Sequence, residues 1–426
     1  MLNEHEQRRE VVAEMHLRRW PVLSVPSTIV QIVKILDPDE REAETQALDA
    51  IPAETLDADN NPRHFSGLLA GGIAFTWERH SEASTITLFL ANAGLPESFA
   101  DAAGDDVSRA VQWAASLPGR AVRATQMVVV PSDADADAIL QRQEFEPMDL
   151  VSCRVGPKEV GSYARIWSDF RLRDSGFGFV LVAANDLTGA ELSRTLQRLQ
   201  ELGNYRNLAL LGLPVARRGW KVLDGIELQL GQITSKLARE DVTDDALLDE
   251  VTQLSIELAT EATAADFRMS ATEAYAKIVD ERLDDLSVRP CEGYLSLVDF
   301  TRRRLLPAVR TCATHRRRSE QLAARTAQFV SLFRTRIETR IENQNARLLA
   351  SMDASAGRQL RLQQLVEGFS VVALTYYLVS LVEHILKGVA EGPVHLDVEL
   401  LVAAMTPVLA ISMWLLIHHA KARVLK

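Results

Sequence analysis

Two groups of side chains in this sequence have the types and spacing for chemistry. Glu14, His16, Arg18 and Arg19 crowd the start of the chain, and Arg79, His80 and Glu82 sit together further on. Histidine beside carboxylates can move protons, and arginines beside both can hold a phosphate or carboxylate. The same residues serve as ion pairs and caps that hold an N-terminal segment on a sheet, and no nucleophile or cofactor motif accompanies them. GxxxxGK, GxGxxG, HExxH and GxSxG are absent, which removes the entry signals for nucleotide, dinucleotide, zincin and serine-hydrolase sites. His80-Ser81-Glu82 has the H-x-E spacing of zinc deaminases, but Pro290-Cys291 continues into Glu-Gly-Tyr and never supplies their second cysteine. Asp133, Asp135, Asp137 and Glu144 fall at calcium-loop spacing, yet Ala138 stands where that loop needs glycine for its turn. Ser132 followed by acids explains the same stretch as a capped helix start. The reading is of no catalytic residue, no metal site and no cofactor.

The elements that must position these residues read as an α+β head over residues 1–262. "GGIAFTWERHSEASTITLFL" (71–90) predicts two strands around the polar ERHSEAS, and "ATQMVVVPS" predicts a short apolar strand. "SYARIWSDFRLRDSGFGFVLVAAND" predicts two more strands joined at RDSG. "SRTLQRLQELGNYRNLALLGLPVAR" predicts a helix that ends at Gly212 and Pro214. Strands that arrive mostly as adjacent pairs favour α+β over a doubly wound sheet.

Residues 263–366 read as a long, basic, amphipathic helical arm, broken near Pro290 and resumed past Pro307. Leu322, Phe329, Phe333, Ile337, Ile341, Leu348 and Met352 lie close to one helical face, a stripe suited to self-association through a coiled coil. From Thr301 to Glu367 there are fourteen arginines, no lysine and five acids, a net of +9, whereas residues 1–300 carry −20. An arginine face next to a membrane attracts anionic lipids. The run has no interleaved tyrosine or tryptophan, and the rest of the chain is acidic, so nucleic acid is not an expected partner.

Residues 367–426 read as a transmembrane hairpin. Gly368–Leu386 has only Glu383 and His384 as acidic or basic side chains, and Leu400–Ile417 has none; each approaches the roughly 20 apolar residues a span requires. Basic flanks on the outer ends and an acidic connection place both termini in the cytosol. No apolar signal segment opens the chain, so the expectation is a multi-pass protein of the bacterial inner membrane. Ser370, Ala373, Tyr377, Ser380 and His384 share one face of the first span, as a helix-packing surface or a pore lining. Cys153, Cys291 and Cys312 are too few and too scattered for a disulfide framework and read as free thiols of a reducing compartment.

"EMHLRRWPVLSVPS", "WERHSEASTITLF", "SDFRLRDSGFGFVLV", "QELGNYRNLALLGLP", "ADFRMSATEAYAKIVDERL", "RIENQNARLLASMD" and "RLQQLVEGFSVVALTYYLVSLV" follow one another in a recognisable order and spacing. In these motifs, nearly end to end, the chain resembles the bacterial membrane-anchored family grouped as domain of unknown function 3422. The resemblance implies an inner-membrane protein with a C-terminal hairpin and supplies no activity. Members of that family read Leu-His-Ala-Arg-Pro where this chain has Met15-His16-Leu17-Arg18-Arg19, and they carry aromatic residues after the strand histidine. Both departures argue against catalysis at His16 or His80. The order of head, long helix and two spans is also similar to the CorA-type magnesium transporters, but their Gly-Met-Asn is replaced by Leu386-Lys387-Gly388-Val389. The sequence therefore predicts an inner-membrane-anchored, non-enzymatic homo-oligomer with the bilayer and its own copies as partners. The alternative is a CorA-like oligomeric ion channel or transporter without the filter motif.

Overall fold

The computed structural model describes residues 4–14, 20–49, 51, 53–57, 63–91, 106–143, 145–158, 161–237, 241–390 and 397–424. In chain order they form α1 (Arg8–Glu14), β1 (Ser27–Ile35), α2 (Pro38–Asp49), β2 (Ala53–Asp57), β3 (His64–Leu69), β4 (Ile73–Arg79) and β5 (Ala83–Ala91). There follow α3 (Asp106–Ser116), β6 (Arg120–Val130), α4 (Asp133–Leu140), β7 (Val151–Val155), β8 (Ala164–Ser168) and β9 (Gly178–Ala183). The helical part comprises α5 (Gly189–Leu210), α6 (Gly212–Lys236), α7 (Asp244–Asp285), the short β10 (Arg289–Pro290), α8 (Leu297–Ala390) and α9 (Val398–Val424). Two compact units result, Met1–Val242 with Asp249–Val330, and Thr243–Leu248 with Ser331–Lys426.

The first unit is built on a ten-stranded sheet in the order β10-β7-β8-β9-β6-β1-β5-β4-β3-β2. Its neighbours run antiparallel apart from β6 and β9, which are parallel. The head is thus a mixed α/β sheet structure. The expected pairs β4–β5 and β8–β9 form, with residues 80–82 and the RDSG stretch between their strands. Between them lies β1, "STIVQIVKI", hydrogen-bonded to β5 on one side and β6 on the other.

Side-chain alternation sorts the strands into two packed faces. Ile29, Met127, Val129, Val180 and Val182 pack on Leu192, Leu196, Leu199 and Leu202 of α5. Val30, Ile32, Ile86 and Leu88 pack on Ala110, Val111 and Ala114 of α3, and Val128, Val130, Phe179 and Leu181 on Ala136 of α4. A strand covered on both faces loses its polar alternation and reads as a continuous apolar run, as "MVVV" and "FVLVA" do. Each leucine so buried stabilises the fold by about 1.5–3 kcal/mol.

At the start of α4 the Ser132 hydroxyl accepts the Asp135 amide while the Asp135 carboxylate accepts the Ser132 amide, a closed capping box. Asp133 accepts hydrogen bonds from Asn185 and Arg165. The acids of this stretch therefore work as a helix start; Glu144 lies outside the described residues. Pro214 falls in the first turn of α6, where its missing amide hydrogen costs nothing. Pro307, expected to precede a resumed helix, instead sits inside α8. Its own ring is exposed, and the buried Leu305 and Ala308 on either side hold the helix through it; tertiary packing outweighs the local penalty.

His315 of α8 is buried beside Trp220 and 3.6 Å from Glu261, and neither ring nitrogen has a hydrogen-bond partner among the described residues. Burial lowers its pKa below the ordinary 6.5; Glu261 opposes the shift and Arg318 adds to it. The unfolded chain then binds the proton more readily than the native one, so stability falls as pH drops through 6.5 toward the lower native value. We expect the thermal midpoint to decline across that window and His315→Gln to flatten the decline, read by melts over a pH series. An unchanged slope in the variant refutes the assignment.

In the second unit Arg336 pairs with Asp244 and Arg340 with Asp245, both at 3.1 Å. The apolar stripe starts buried at Phe333, but Ile341, Leu348 and Met352 are 50%, 62% and 67% exposed. Two helices are long and apolar enough to cross a membrane, the C-terminal part of α8 and the stretch Glu399–His419 of α9; their apolar windows are 6% and 0% buried. The multi-pass expectation is corrected by this count: among the described residues there are two candidate spans, enough for one hairpin.

Candidate functional site

The N-terminal members of the predicted polar cluster, His16 and Arg18 with Arg19, lie outside the described residues, as does the side chain of Glu14. Arg79, His80 and Glu82 fall together at the β4–β5 connection, but their partners lead apart. Arg79 donates to Glu44 of α2 at 2.9 Å, and the same carboxylate accepts the indole N–H of Trp77 at 3.1 Å. Glu82 accepts two hydrogen bonds from Arg268 of α7, at 3.0 and 2.6 Å. Burial, with the Glu82 carboxylate nearby, raises the pKa of Tyr275. His80 lies 3.3 Å from the Thr85 hydroxyl and meets the Tyr205 ring edge-on. α2 packs with the Val30–Ile32 face of the sheet, and Tyr275 with the Val33 face. Arg79 and Glu82 therefore tie opposite sheet faces to their covering helices.

On α8 the second predicted set is spread along the helix. Ser370, Ala373, Tyr377 and His384 are exposed and Ser380 is half-buried. The Ser370 hydroxyl donates to the Val366 carbonyl, and the Tyr376 and Tyr377 rings meet edge-on at 5.8 Å.

A third constellation, not anticipated from the sequence, lies between the sheet and α5. On the face covered by that helix, Thr87, Gln31 and Thr125 stand side by side on three neighbouring strands, with Arg123 one step further along β6. Arg123 donates to the side-chain oxygens of Gln31 at 3.1 Å, Asn204 at 2.7 Å and Gln200 at 2.6 Å. All three acceptors are neutral. Gly203 makes room for this guanidinium: a Cβ there would lie 2.6 Å from Nη2. Three residues along α5, Arg206 is 8% exposed. Its guanidinium lies 4.4 Å from the Phe170 ring centre and 5.5 Å from that of Phe300, and these two rings stack on each other. Phe170 has a φ of 54°, a left-handed backbone that an aromatic residue adopts at a cost. Burial lowers Arg123 to about 9, with the charge of Arg206 adding to the effect, and burial lowers Arg206 to about 10. Both remain cationic at neutral pH, and both line a cavity of about 310 Å³.

One sequence signal does point to this pair. Arg123 precedes Thr125, Met127 and Val129 at strand period, and Arg206 follows Leu192, Leu196, Leu199 and Gly203 at helical period. Each arginine thus occupies a position that the pattern assigns to the core. The motifs "SDFRLRDSGFGFVLV" and "QELGNYRNLALLGLP" supply Phe170 and Arg206 respectively.

No curated protein and no solved structure matches the chain, so the likeness to CorA-type transporters finds no support. The family described as Protein of unknown function (DUF3422) matches residues 3–424, and the chain belongs to that family.

Proposed function

We propose that the protein is a membrane-anchored, self-associating binding protein whose C-terminal hairpin holds it in a lipid bilayer. The observation that carries this is the exposure of two apolar helices whose best windows are 6% and 0% buried. In water that surface is a large uncompensated hydrophobic area; in a bilayer it is matched to its solvent. The exposed Arg347, Arg358 and Arg361 lie before the first apolar window, and each basic residue near an anionic surface contributes about 1 kcal/mol of attraction. The exposed stripe of Ile341, Leu348 and Met352 supports self-association along α8. Binding is favoured over catalysis because Arg79 and Glu82 each serve a partner in another element.

The full-length protein is expected to resist extraction by alkaline carbonate and to float with vesicles. Leu378→Arg with Leu409→Arg should release it, since an arginine at a span centre costs about 2.5–3.5 kcal/mol on insertion scales. Recovery of the unaltered chain as a monodisperse particle without detergent or lipid would sink the proposal. A second reading, conduction, rests on the exposed Ser370–His384 face of α8. The particle mass in nanodiscs separates the two, because only a closed ring of copies can turn that face toward a common axis.

A further inference from the structure

Arg206 poses an electrostatic problem. The residue is more than nine-tenths buried, and among the described residues its guanidinium has no carboxylate and no hydrogen-bond acceptor; it lies over the rings of Phe170 and Phe300. Arg123 stands close enough to repel it and is itself held only by neutral amide oxygens. Two buried cations without a counter-charge are unfavourable unless something anionic joins them. Other deeply placed ion pairs in this unit follow the ordinary rule: Glu82 has Arg268, Glu44 has Arg79 and Asp169 has Arg173. The buried Lys34 is satisfied by two backbone carbonyls, whereas the two arginines lie together and face a cavity.

The cavity has the features of a ligand site rather than a packing defect. Its volume of about 310 Å³ is far larger than a water and falls at the small end of the range for ligand pockets. Arg123 and Arg206 give it a cationic end, and Val122, Phe170, Leu172 and Phe179 give it apolar walls. The amide of Gln200 accepts from Arg123 and Thr125 through its oxygen, while its NH2 group is buried without an acceptor among the described residues, a further unfilled donor beside the pair. Its wall at Phe170 is held in a left-handed backbone, the kind of local cost that persists where a site depends on it.

We propose that Arg123 and Arg206 form a binding site for a small organic oxyanion, a carboxylate or phosphate group on a partly apolar body. The planar guanidinium forks suit the paired oxygens of such groups. The apolar walls take the body of the ligand, and the anion supplies the counter-charge that the fold omits. The site goes beyond the anchoring reading and does not depend on it.

The test uses the full chain in detergent micelles, with inorganic phosphate and acetate as probes against chloride at equal ionic strength. At about ten times its dissociation constant, a bound probe should raise the thermal midpoint by roughly 1.5–2 °C. Arg206→Met should lose that response while melting no lower than the unaltered protein without probe, because it removes an uncompensated buried charge. Phosphorus NMR line broadening of phosphate by the unaltered protein detects binding without any variant, should the variant fail to fold. If neither probe shifts the midpoint and phosphate lines stay sharp, the pair is a structural feature of the helix–sheet seam and the proposal is overturned. An undiminished response in Arg206→Met overturns it equally.

Discussion

Replacing Glu82 by alanine is expected to destabilise the protein by about 3–5 kcal/mol, far more than an exposed ion pair contributes. Glu82 is 4% exposed, and both its oxygens accept from Arg268, 186 residues away in the chain. The link fastens the tip of the β4–β5 hairpin to α7. Removing Glu82 leaves a largely buried guanidinium without its acceptor, and this stranding, more than the lost attraction, sets the cost. Glu82→Leu combined with Arg268→Met should therefore return to within about 1.5 kcal/mol of the unaltered protein, since both charges leave together. Denaturant unfolding followed by tryptophan fluorescence in detergent reads both variants. A cost below about 1 kcal/mol for the single change would show the pair to be solvent-screened.

The same pair shows how far the sequence could be read. Arg79, His80 and Glu82 were legible as a polar knot between two strands, because alternation in "GGIAFTWE" and "STITLFL" leaves ERHSEAS as the only unpatterned stretch. Their roles were not legible, since Glu44 and Arg268 come from two distant helices and nothing local selects them. β1 shows a related blind spot: with both faces covered it keeps Gln31 and Lys34 inside, paired with Thr87 and with backbone carbonyls of residues 115 and 117. Such polar residues in an apolar run blur strand alternation. The parallel β6–β9 contact joins segments separated by α4, β7 and β8, so no adjacent-pair rule finds it. The two apolar C-terminal helices, by contrast, were plain, because the bilayer sets their length and composition locally. The arginine pair was visible in principle as charge at core positions. Its meaning needed the third dimension, where Gln31, Gln200 and Asn204 turn out to be acceptors without charge.

Alanine in place of helical glycine should change sign within two consecutive helices of this protein. In α6, Gly225 and Gly231 have open space where a Cβ would be. Gly225→Ala and Gly231→Ala should each stabilise by about 0.5–1 kcal/mol, the ordinary gain from restricting the unfolded chain and favouring helix. In α5, the Cβ of Gly203→Ala would sit 2.6 Å from the Arg123 guanidinium, and in α6 that of Gly219→Ala would overlap both the Glu261 carboxylate and the His315 ring. Neither obstacle yields easily. Arg123 is fixed by three amide oxygens, and His315 is buried. Overpacking of this kind costs about 1–3 kcal/mol, which exceeds the propensity gain, so both changes should lower the unfolding midpoint. Gly203→Ala carries a second consequence, because its methyl group crowds the Arg123 guanidinium that donates to Gln200 and Asn204. Measured side by side, the four variants should divide into two that melt higher and two that melt lower. If Gly203→Ala melts as high as Gly231→Ala, then Arg123 moves aside freely and α5 does not pack tightly over it.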